Sequence, residues 1–312
     1  MSARVLLVLL LLAPAVAAAA SNRAATTPGL GAAQPGILFD DFSYAHRSRL
    51  AAHGWVVRAA SGWPGVRGAS WSPDNVSFVA DPARRGNRLL RMSSSTDGTP
   101  AGTSQTQVCH QRKYFEGTYA TRVRFRDMAT AGPDRDQLVE TFYVISPPGA
   151  PLDPSYSELD WEYLPNGGWG VRPSVLFVTT WETFQLDPWI AVNTHTPAVG
   201  SLDGWHTLVM QVAKGTVAYY LDGVRLATHG GKYYPEVPMS INYNLWFISD
   251  GLRQSGVRRR YDEDVDWVFH QVGAVLSPAQ VRARVATLRR GRVVFKDTVP
   301  PASPLLVSPC NF

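Results

Sequence analysis

The feature that most restricts how this chain can fold is a recurring pattern of short β-type runs. These runs are rich in β-branched residues or alternate between apolar and polar residues. Clusters of Gly, Pro, Asn and Asp separate them. Many short strands divided by turn signals are typical of a β-sandwich or barrel. The sequence therefore predicts an all-β fold with strands at 37–42, 76–80, 88–92, 117–125, 137–145, 156–164, 174–181, 206–212, 216–221, 224–229, 239–248 and 264–270.

A single clear helical signal lies near the C-terminus. Ser277 is a suitable N-cap, Pro278 is a favoured first helical residue, and Gln280 completes a capping box. Three apolar side chains of the segment fall on one face that can pack on a sheet: Val281, Val285 and Leu288. We predict a helix from Pro278 to about Arg289.

The ends of the chain differ in composition from its middle. Residues 1–20 contain Arg4, an apolar run and then small residues, which is the pattern of a secretory signal peptide. Residues 21–36 are predicted to be a flexible linker, 37–300 one domain and 301–312 an extended tail. Because no later apolar run approaches the ~20 residues of a membrane span, we expect a secreted, extracellular protein without a membrane partner.

The chain has two cysteines, Cys109 and Cys310, which excludes a disulfide framework. An oxidising compartment permits one bridge between them, and that bridge would tie the tail to the domain. Two unpaired thiols are the alternative.

The formal net charge is +5, and the basic residues are unevenly distributed. A basic groove could favour an acidic polymer, whereas solvated surface faces are the alternative. No nucleic-acid motif accompanies the charge, so we expect no nucleic-acid partner. The two basic clusters comprise Arg253, Arg258, Arg259 and Arg260, and Arg282, Arg284, Arg289, Arg290 and Arg292.

The candidate catalytic residues lie in an acidic stretch within 156–164. Its carboxylates are Glu158, Asp160 and Glu162, and they alternate with apolar residues. Strict alternation predicts a half-buried strand with the carboxylates on one face and Leu159, Trp161 and Tyr163 on the other. Three like charges in a row do not favour stability, but carboxylates that push one another's pKa values apart suit acid/base chemistry at a glycosidic bond.

The segment Glu158-Leu-Asp-Trp-Glu162 resembles the Glu-x-Asp-x-Glu motif of glycoside hydrolase family 16. Other segments of the chain also resemble that family and occur along the sequence in the family's order. They are Phe39-Asp-Asp-Phe42, Phe115-Glu-Gly-Thr-Tyr119, Arg122-Val-Arg-Phe125, Trp205-His-Thr207, Tyr220-Leu-Asp-Gly223, Asn244-Leu-Trp246 and Val265-Asp-Trp-Val268. The resemblance spans residues 39 to about 270. It implies a β-jelly-roll sandwich of two curved antiparallel sheets, to which the sequence adds one short C-terminal helix.

The sequence also departs from the family pattern. Residues 140–145 lack the usual Trp-Pro-Ala-x-Trp text, and 206–212 lack the Trp that commonly ends that strand. No extra residue separates Asp160 from Glu162, which resembles lichenases and xyloglucan enzymes rather than most laminarinases. These departures affect the expected substrate more than the expected chemistry.

The resemblance implies a role for each carboxylate. Glu158 would be the nucleophile, Glu162 the general acid/base, and Asp160 would tune both. Four strand steps separate the outer Cα atoms by ~13 Å, whereas retaining enzymes need carboxyl groups ~5–5.5 Å apart. Two long Glu side chains leaning toward each other along a concave strand can close that gap, and two Asp side chains could not.

Candidate binding residues follow from strand alternation. Asn242, Asn244 and Trp246 share a face, and Trp181 lies on the strand after the acidic one. An amide beside an indole offers a hydrogen-bonding group and a platform for a sugar ring, whereas core packing is the alternative for each Trp. The resemblance also implies a structural Ca²⁺ at Asp266, and catalysis itself needs no cofactor.

We therefore expect a secreted, monomeric, endo-acting retaining β-glycanase that binds a polysaccharide, with a β-1,3- or β-1,3/1,4-glucan as the expected substrate. One alternative is a hydrolase of an acidic or sulfated galactan, which the basic cluster at 253–260 would favour. The other is a lectin-like protein that binds carbohydrate without cleaving it.

Overall fold

The computed structural model describes residues 36–308 and residue 310. The predicted signal peptide, the predicted linker up to residue 35 and the end of the predicted tail lie outside the described residues. The described part contains helices α1 (Ser48–Ala52) and α2 (Pro278–Arg290) and short 3-10 turns at Pro73–Asn75, Gly231–Tyr233 and Ser249–Gly251. No helix in this part is long and apolar enough to cross a membrane.

Strands account for most of the regular structure in the same part of the chain. They are β1 (Ile37–Asp40), β2 (Val56–Val57), β3 (Ser70–Trp71), β4 (Val76–Ala80), β5 (Arg88–Thr96), β6 (Ser104–Cys109), β7 (Gly117–Phe125), β8 (Leu138–Ile145), β9 (Glu158–Leu164), β10 (Val175–Gln185), β11 (Ile190–Val199), β12 (Gly204–Ala213), β13 (Thr216–Leu221), β14 (Val224–Gly230), β15 (Ser240–Phe247), β16 (Arg259–Val272) and β17 (Phe295–Asp297).

The strands form two antiparallel sheets. The front sheet has the order β11-β10-β9-β8-β15-β6-β2. The back sheet has the order β14-β13-β12-β7-β16-β5-β4, and β1 and β17 extend it beside the second half of β16. Strand β6 also pairs with β5 and, in parallel, with β3, so the sheets are joined at that edge. The predicted jelly roll is confirmed.

The main core lies between the two sheets. Leu159, Trp161 and Tyr163 are fully buried there, as the alternation along β9 predicts. Since successive strand residues point to opposite sides, the carboxylates of β9 lie on the outer face of the front sheet.

Helix α2 packs on the outside of the back sheet. Its capping box between Ser277 and Gln280 is present, and the helix ends at Arg290, one residue beyond the prediction. Val281 and Val285 are buried against side chains of β1, β12 and β16, namely Phe39, Val209, Trp267 and Phe269.

The two cysteines form a disulfide. Cys109 lies at the end of β6, and its Cα atom is 5.7 Å from that of Cys310. The bridge settles the alternative that the sequence left open, and it fastens the tail to the front sheet.

Candidate active site

The acidic strand β9 lies inside the front sheet, paired on both sides in regular register. Glu158 is opposite Trp181 on β10, and Glu162 is opposite Phe177. The pairing with β8 is equally regular. The predicted absence of an extra residue between Asp160 and Glu162 is confirmed, and a bulge lies instead on the β10–β11 side of β10. Hydrogen bonds to two neighbouring strands therefore fix the spacing of the carboxylates.

Burial gives these carboxylates unusual pKa values. Asp160 is 3% exposed, while Glu158 and Glu162 are partly exposed. Burial raises the pKa of Glu158 to about 7. Burial, together with the charge of Glu158, raises the pKa of Glu162 to about 8. The pKa of Asp160 is also raised well above its usual range by burial and by its two acidic neighbours. Perturbed pKa values of this kind are common at catalytic sites.

Glu158 has a hydrogen-bond donor that the sequence analysis did not assign. The hydroxyl of Tyr156 donates to the Glu158 carboxylate. Tyr156 is 2% exposed, and its ring packs edge-on against Phe184, with centroids 5.0 Å apart. Because a donor favours the ionised form, this bond lowers the pKa of Glu158 against the effect of burial. The position of Tyr156 two residues before Glu158, on the same face, is the signal that could have identified it.

The other two carboxylates contact β10. The indole Nε1 of Trp181 donates to Asp160 Oδ2 at 2.8 Å. The Thr179 hydroxyl is 3.5 Å from Glu162 Oε2. Trp181, predicted from the sequence as a sugar platform, thus orients the central carboxylate.

The predicted binding residues of β15 lie at different depths. Asn242 is fully buried, and its amide bonds with Ser240 of the same strand. Asn244 accepts from the Thr141 hydroxyl and donates to Tyr143 Oη at 3.4 Å. Both amides are thus engaged within the front sheet.

Trp246 alone among the three predicted β15 residues is partly exposed. It therefore reaches the surface where a ligand could contact it.

Aromatic side chains flank the acidic strand at both ends. Near Glu158, Trp63 contacts Phe184 and Trp189, and these two contact Trp181. Near Glu162, Trp169 contacts Phe177 and Trp246. The sequence analysis missed the members that lie in loops or turns, where alternation does not predict orientation: Trp63, Trp169 and Trp189.

Asp266 lies on the back sheet and does not fit a calcium site. Its carboxylate accepts from Arg289 at 2.6 Å, from Arg122 at 3.0 Å and from Asn87 at 2.8 Å. Calcium prefers six to eight oxygen ligands, whereas two guanidinium groups surround this carboxylate. Among the described residues, no group of three or more His, Cys, Asp or Glu side chains is placed to hold a metal ion.

Two of the four arginines in the basic cluster at 253–260 are neutralised within the fold. Arg259 is buried and forms an ion pair with Asp136 at 2.5 Å. Arg260 pairs with Asp262 at 2.7 Å. These two guanidinium groups are therefore committed to neighbouring carboxylates, which weakens the argument for an acidic substrate.

Comparison with known proteins finds the fold but no sequence family. No family model matches the chain, and no curated protein matches it. A Bacteroides ovatus GH16 protein named for mixed-linkage glucan, solved with a G4G4G3G product, has a TM-score of 0.55 and 12% identity over 74% of this chain and 98% of that chain.

Two further solved structures have similar scores. Bacillus licheniformis β-glucanase has a TM-score of 0.52 and 18% identity, covering 76% of this chain and 98% of that chain. The κ-carrageenase of Pseudoalteromonas carrageenovora, solved with a κ-carrageenan oligotetrasaccharide, has a TM-score of 0.51 and 16% identity over 80% and 98%. At these identities the likeness shows a shared fold.

Proposed function

We propose that this chain, which has the jelly-roll fold of the family 16 glycoside hydrolases, is an endo-acting retaining β-glycanase. The observation that carries the proposal is the regular register of Glu158, Asp160 and Glu162 on one strand face, with raised pKa values at both outer positions. Retaining glycosidases need one carboxylate to attack and one carboxylic acid to protonate the leaving group, and this strand supplies such a pair.

In the first step, ionised Glu158 attacks the anomeric carbon while protonated Glu162 gives its proton to the glycosidic oxygen. The C–O bond to the leaving sugar breaks, and a glycosyl ester forms on Glu158. In the second step, the Glu162 carboxylate takes a proton from water, and the resulting nucleophile attacks the anomeric carbon. Glu158 departs as a carboxylate, so both residues return to their starting states and the configuration is retained.

The neighbours of these residues support this division of roles. The Tyr156 hydroxyl stabilises the ionised form of Glu158, as a nucleophile requires. Burial beside another acidic group favours a protonated Glu162, as a general acid requires. Trp181 fixes the orientation of Asp160 between them.

The preferred substrate is a neutral β-1,3- or β-1,3/1,4-glucan. The fold neighbours include a β-glucanase and a protein bound to a G4G4G3G product. Uncharged aromatic side chains border the acidic strand, whereas two arginines of the 253–260 cluster are already ion-paired. These contacts disfavour the sulfated-galactan alternative, although a κ-carrageenase shares the fold.

We also propose that the protein is secreted and acts as a monomer. The Cys109–Cys310 disulfide supports export, since such bonds persist in oxidising compartments.

Reducing-end release by wild type and Glu158→Gln tests the function on laminarin, lichenan, xyloglucan, agarose and κ-carrageenan. We expect wild type to release ends from laminarin or lichenan and the variant to lose this activity. Proton NMR of the first product should show the β-anomer before mutarotation. Binding without release by either protein would instead support the lectin-like alternative, and release confined to κ-carrageenan would overturn the glucan assignment.

A further inference from the structure

We propose that the aromatic group near Glu158, formed by Trp63, Trp181, Phe184 and Trp189, is a separate binding site for one pyranose ring of a neutral glycan. This site, called the aromatic box below, would hold a ring of the substrate other than the one attacked by Glu158. The inference deepens the proposed function and rests on it.

The box is assembled from three parts of the chain. Trp63, from the segment between β2 and β3, stacks on Phe184 of β10 with centroids 5.5 Å apart and planes at 25°. Trp189, from the β10–β11 turn, lies 6.4 Å from Trp63 and 6.4 Å from Trp181. Trp181 and Phe184 are 6.2 Å apart. The four rings therefore form one connected surface.

The two outer members keep much of their surface open. Trp63 is 51% exposed and Trp189 is 55% exposed, although they contact each other. Mutual packing therefore leaves indole surface uncovered. Contiguous exposed aromatic surface is unfavourable in water and marks binding sites in soluble proteins. An indole suits the apolar face of a sugar, and the four rings carry no charge, which favours a neutral ring.

The segment carrying Trp63 is fastened to the front sheet. Arg58, only 3% exposed, donates to Gln107 Oε1 at 2.8 Å and to the Trp63 carbonyl at 3.1 Å. Trp71 Nε1 donates to the Gly62 carbonyl at 3.1 Å. Buried polar groups thus fix the backbone on which an exposed tryptophan stands. A backbone held in this way indicates that the Trp63 side chain is presented in a fixed position, as in a preorganised binding surface.

The same segment reaches across the front sheet. Its anchor Gln107 is on β6, whereas the ring of Trp63 contacts Phe184 on β10. Strands β15, β8 and β9 lie between these two strands, a span of about 19 Å at the usual strand spacing. The segment therefore contacts strands on both sides of the acidic one, and a long substrate bound at that strand would lie beside it.

The box is continuous with the candidate active site. Trp181 belongs to both, because its ring contacts Trp189 while its Nε1 donates to Asp160. Phe184 supports Tyr156, the donor to Glu158. A glycan bound near the carboxylates could therefore place another of its rings on the exposed indoles.

The test compares Trp63→Ala and Trp189→Ala with wild type and with the matched control Trp205→Ala. Trp205 lies on the back sheet, where its ring contacts the Arg122 guanidinium at 4.3 Å, so the control also removes one tryptophan. Trp63→Phe tests rescue by a smaller aromatic face.

Activity is measured on gluco-oligosaccharides of increasing length and on whichever polymer wild type cleaves. We expect Trp63→Ala and Trp189→Ala to lose at least about tenfold in kcat/KM on long substrates, mainly through KM, and little on the shortest cleaved oligosaccharide. The control and Trp63→Phe should stay within about threefold of wild type. An equal loss of kcat/KM at every substrate length, or no loss at any length, would overturn the proposal that the aromatic box binds a sugar ring.

Binding gives a second readout that does not need turnover. In the Glu158→Gln background, tryptophan fluorescence is titrated with laminarin and lichenan oligosaccharides. We expect Trp63→Ala and Trp189→Ala to weaken binding at least about tenfold, unlike Trp205→Ala. Unchanged binding would overturn the box while leaving the proposed glycanase intact, whereas failure of wild type to bind or cleave any glucan would overturn both.

Discussion

At the residue scale, the protonation of the two outer glutamates should set the pH dependence of activity. Burial raises the pKa of Glu158 to about 7 and, with the charge of Glu158, that of Glu162 to about 8. In the proposed mechanism Glu158 must be ionised to attack, so kcat/KM should fall as pH drops below about 7. Glu162, the proposed general acid, must be protonated, so kcat/KM should also fall above about 8. A pH profile from 5 to 10 checks this, and an optimum below pH 6 would contradict it.

Tyr156→Phe removes the hydroxyl that donates to Glu158, the proposed nucleophile. Without the hydroxyl, the ionised form of Glu158 loses a charge-assisted hydrogen bond, so its pKa should rise. We expect kcat to fall ~10–100-fold, the value of one hydrogen bond to a charged group, and the acid limb of the profile to move to higher pH. Tyr220→Phe, which removes a back-sheet hydroxyl near Gln211, is the control. A lower kcat with an unmoved acid limb would indicate a structural role instead.

At the element scale, Arg289 is expected to hold helix α2 on the back sheet. The Arg289–Asp266 ion pair is mostly buried, and Asp266 keeps Arg122 and Asn87 as partners when it is lost, so Arg289→Ala should destabilise the fold by about 1–3 kcal/mol. Arg290→Ala is the matched control, because that neighbouring side chain is exposed and bonds Thr287 within the helix. Urea unfolding measures both variants, and equal stabilities would contradict the assignment.

The same contacts predict how the fold responds to calcium. Because guanidinium groups surround Asp266, the wild-type Tm should be the same in excess Ca²⁺ and in EDTA. A clear rise in Tm with Ca²⁺ would show that a cation binds despite Arg289.

The sequence could predict the elements that have a periodic pattern of apolar residues or clear capping residues. Alternation predicted β9 and the face of its carboxylates, and capping signals predicted α2. Strand β6 was missed because Ser104–Cys109 is largely polar. The side chain of Gln105 is buried, and its Oε1 accepts hydrogen bonds from the backbone N–H groups of Val66 and Phe247. These partners are distant in sequence, so residue spacing does not reveal them.

The sequence also could not predict how deeply a side chain is buried or how a side chain in a loop is oriented. Alternation placed Asn242 and Asn244 on the correct face of β15, but not beneath the surface, because their depth depends on neighbouring side chains. Trp63 and Trp189 stand in segments without periodicity, so only tertiary contacts bring them beside Trp181.

At the scale of the whole molecule, a buried acidic pair should make stability depend on pH. Glu140 of the front sheet and Glu263 of the back sheet are both buried, and neither oxygen of Glu263 has a hydrogen-bond partner among the described residues. Burial, and then the charge of Glu140, raises the pKa of Glu263 well above its usual range. The native state therefore holds this proton to higher pH than the unfolded state, so stability falls as pH rises above the usual glutamate pKa.

Glu263→Gln should weaken this dependence, because other buried carboxyls with raised pKa values remain. We expect its Tm to match wild type near pH 4 and to exceed it at pH 8, because the amide stays neutral where the carboxyl would ionise. The exposed Glu236→Gln should follow the wild-type curve. Parallel Tm curves for Glu263→Gln and wild type between pH 4 and 9 would contradict the prediction.

The regular pairing of β9 separates two properties that can change independently. Hydrogen-bonded neighbours on both sides hold the carboxylates, whereas Trp63 and Trp189 stand on connecting segments outside those strands. Connections tolerate exchange better than paired strands do. Under the proposed function, a lineage or a protein engineer should therefore be able to replace these segments and redirect the protein to another polymer without changing its reaction.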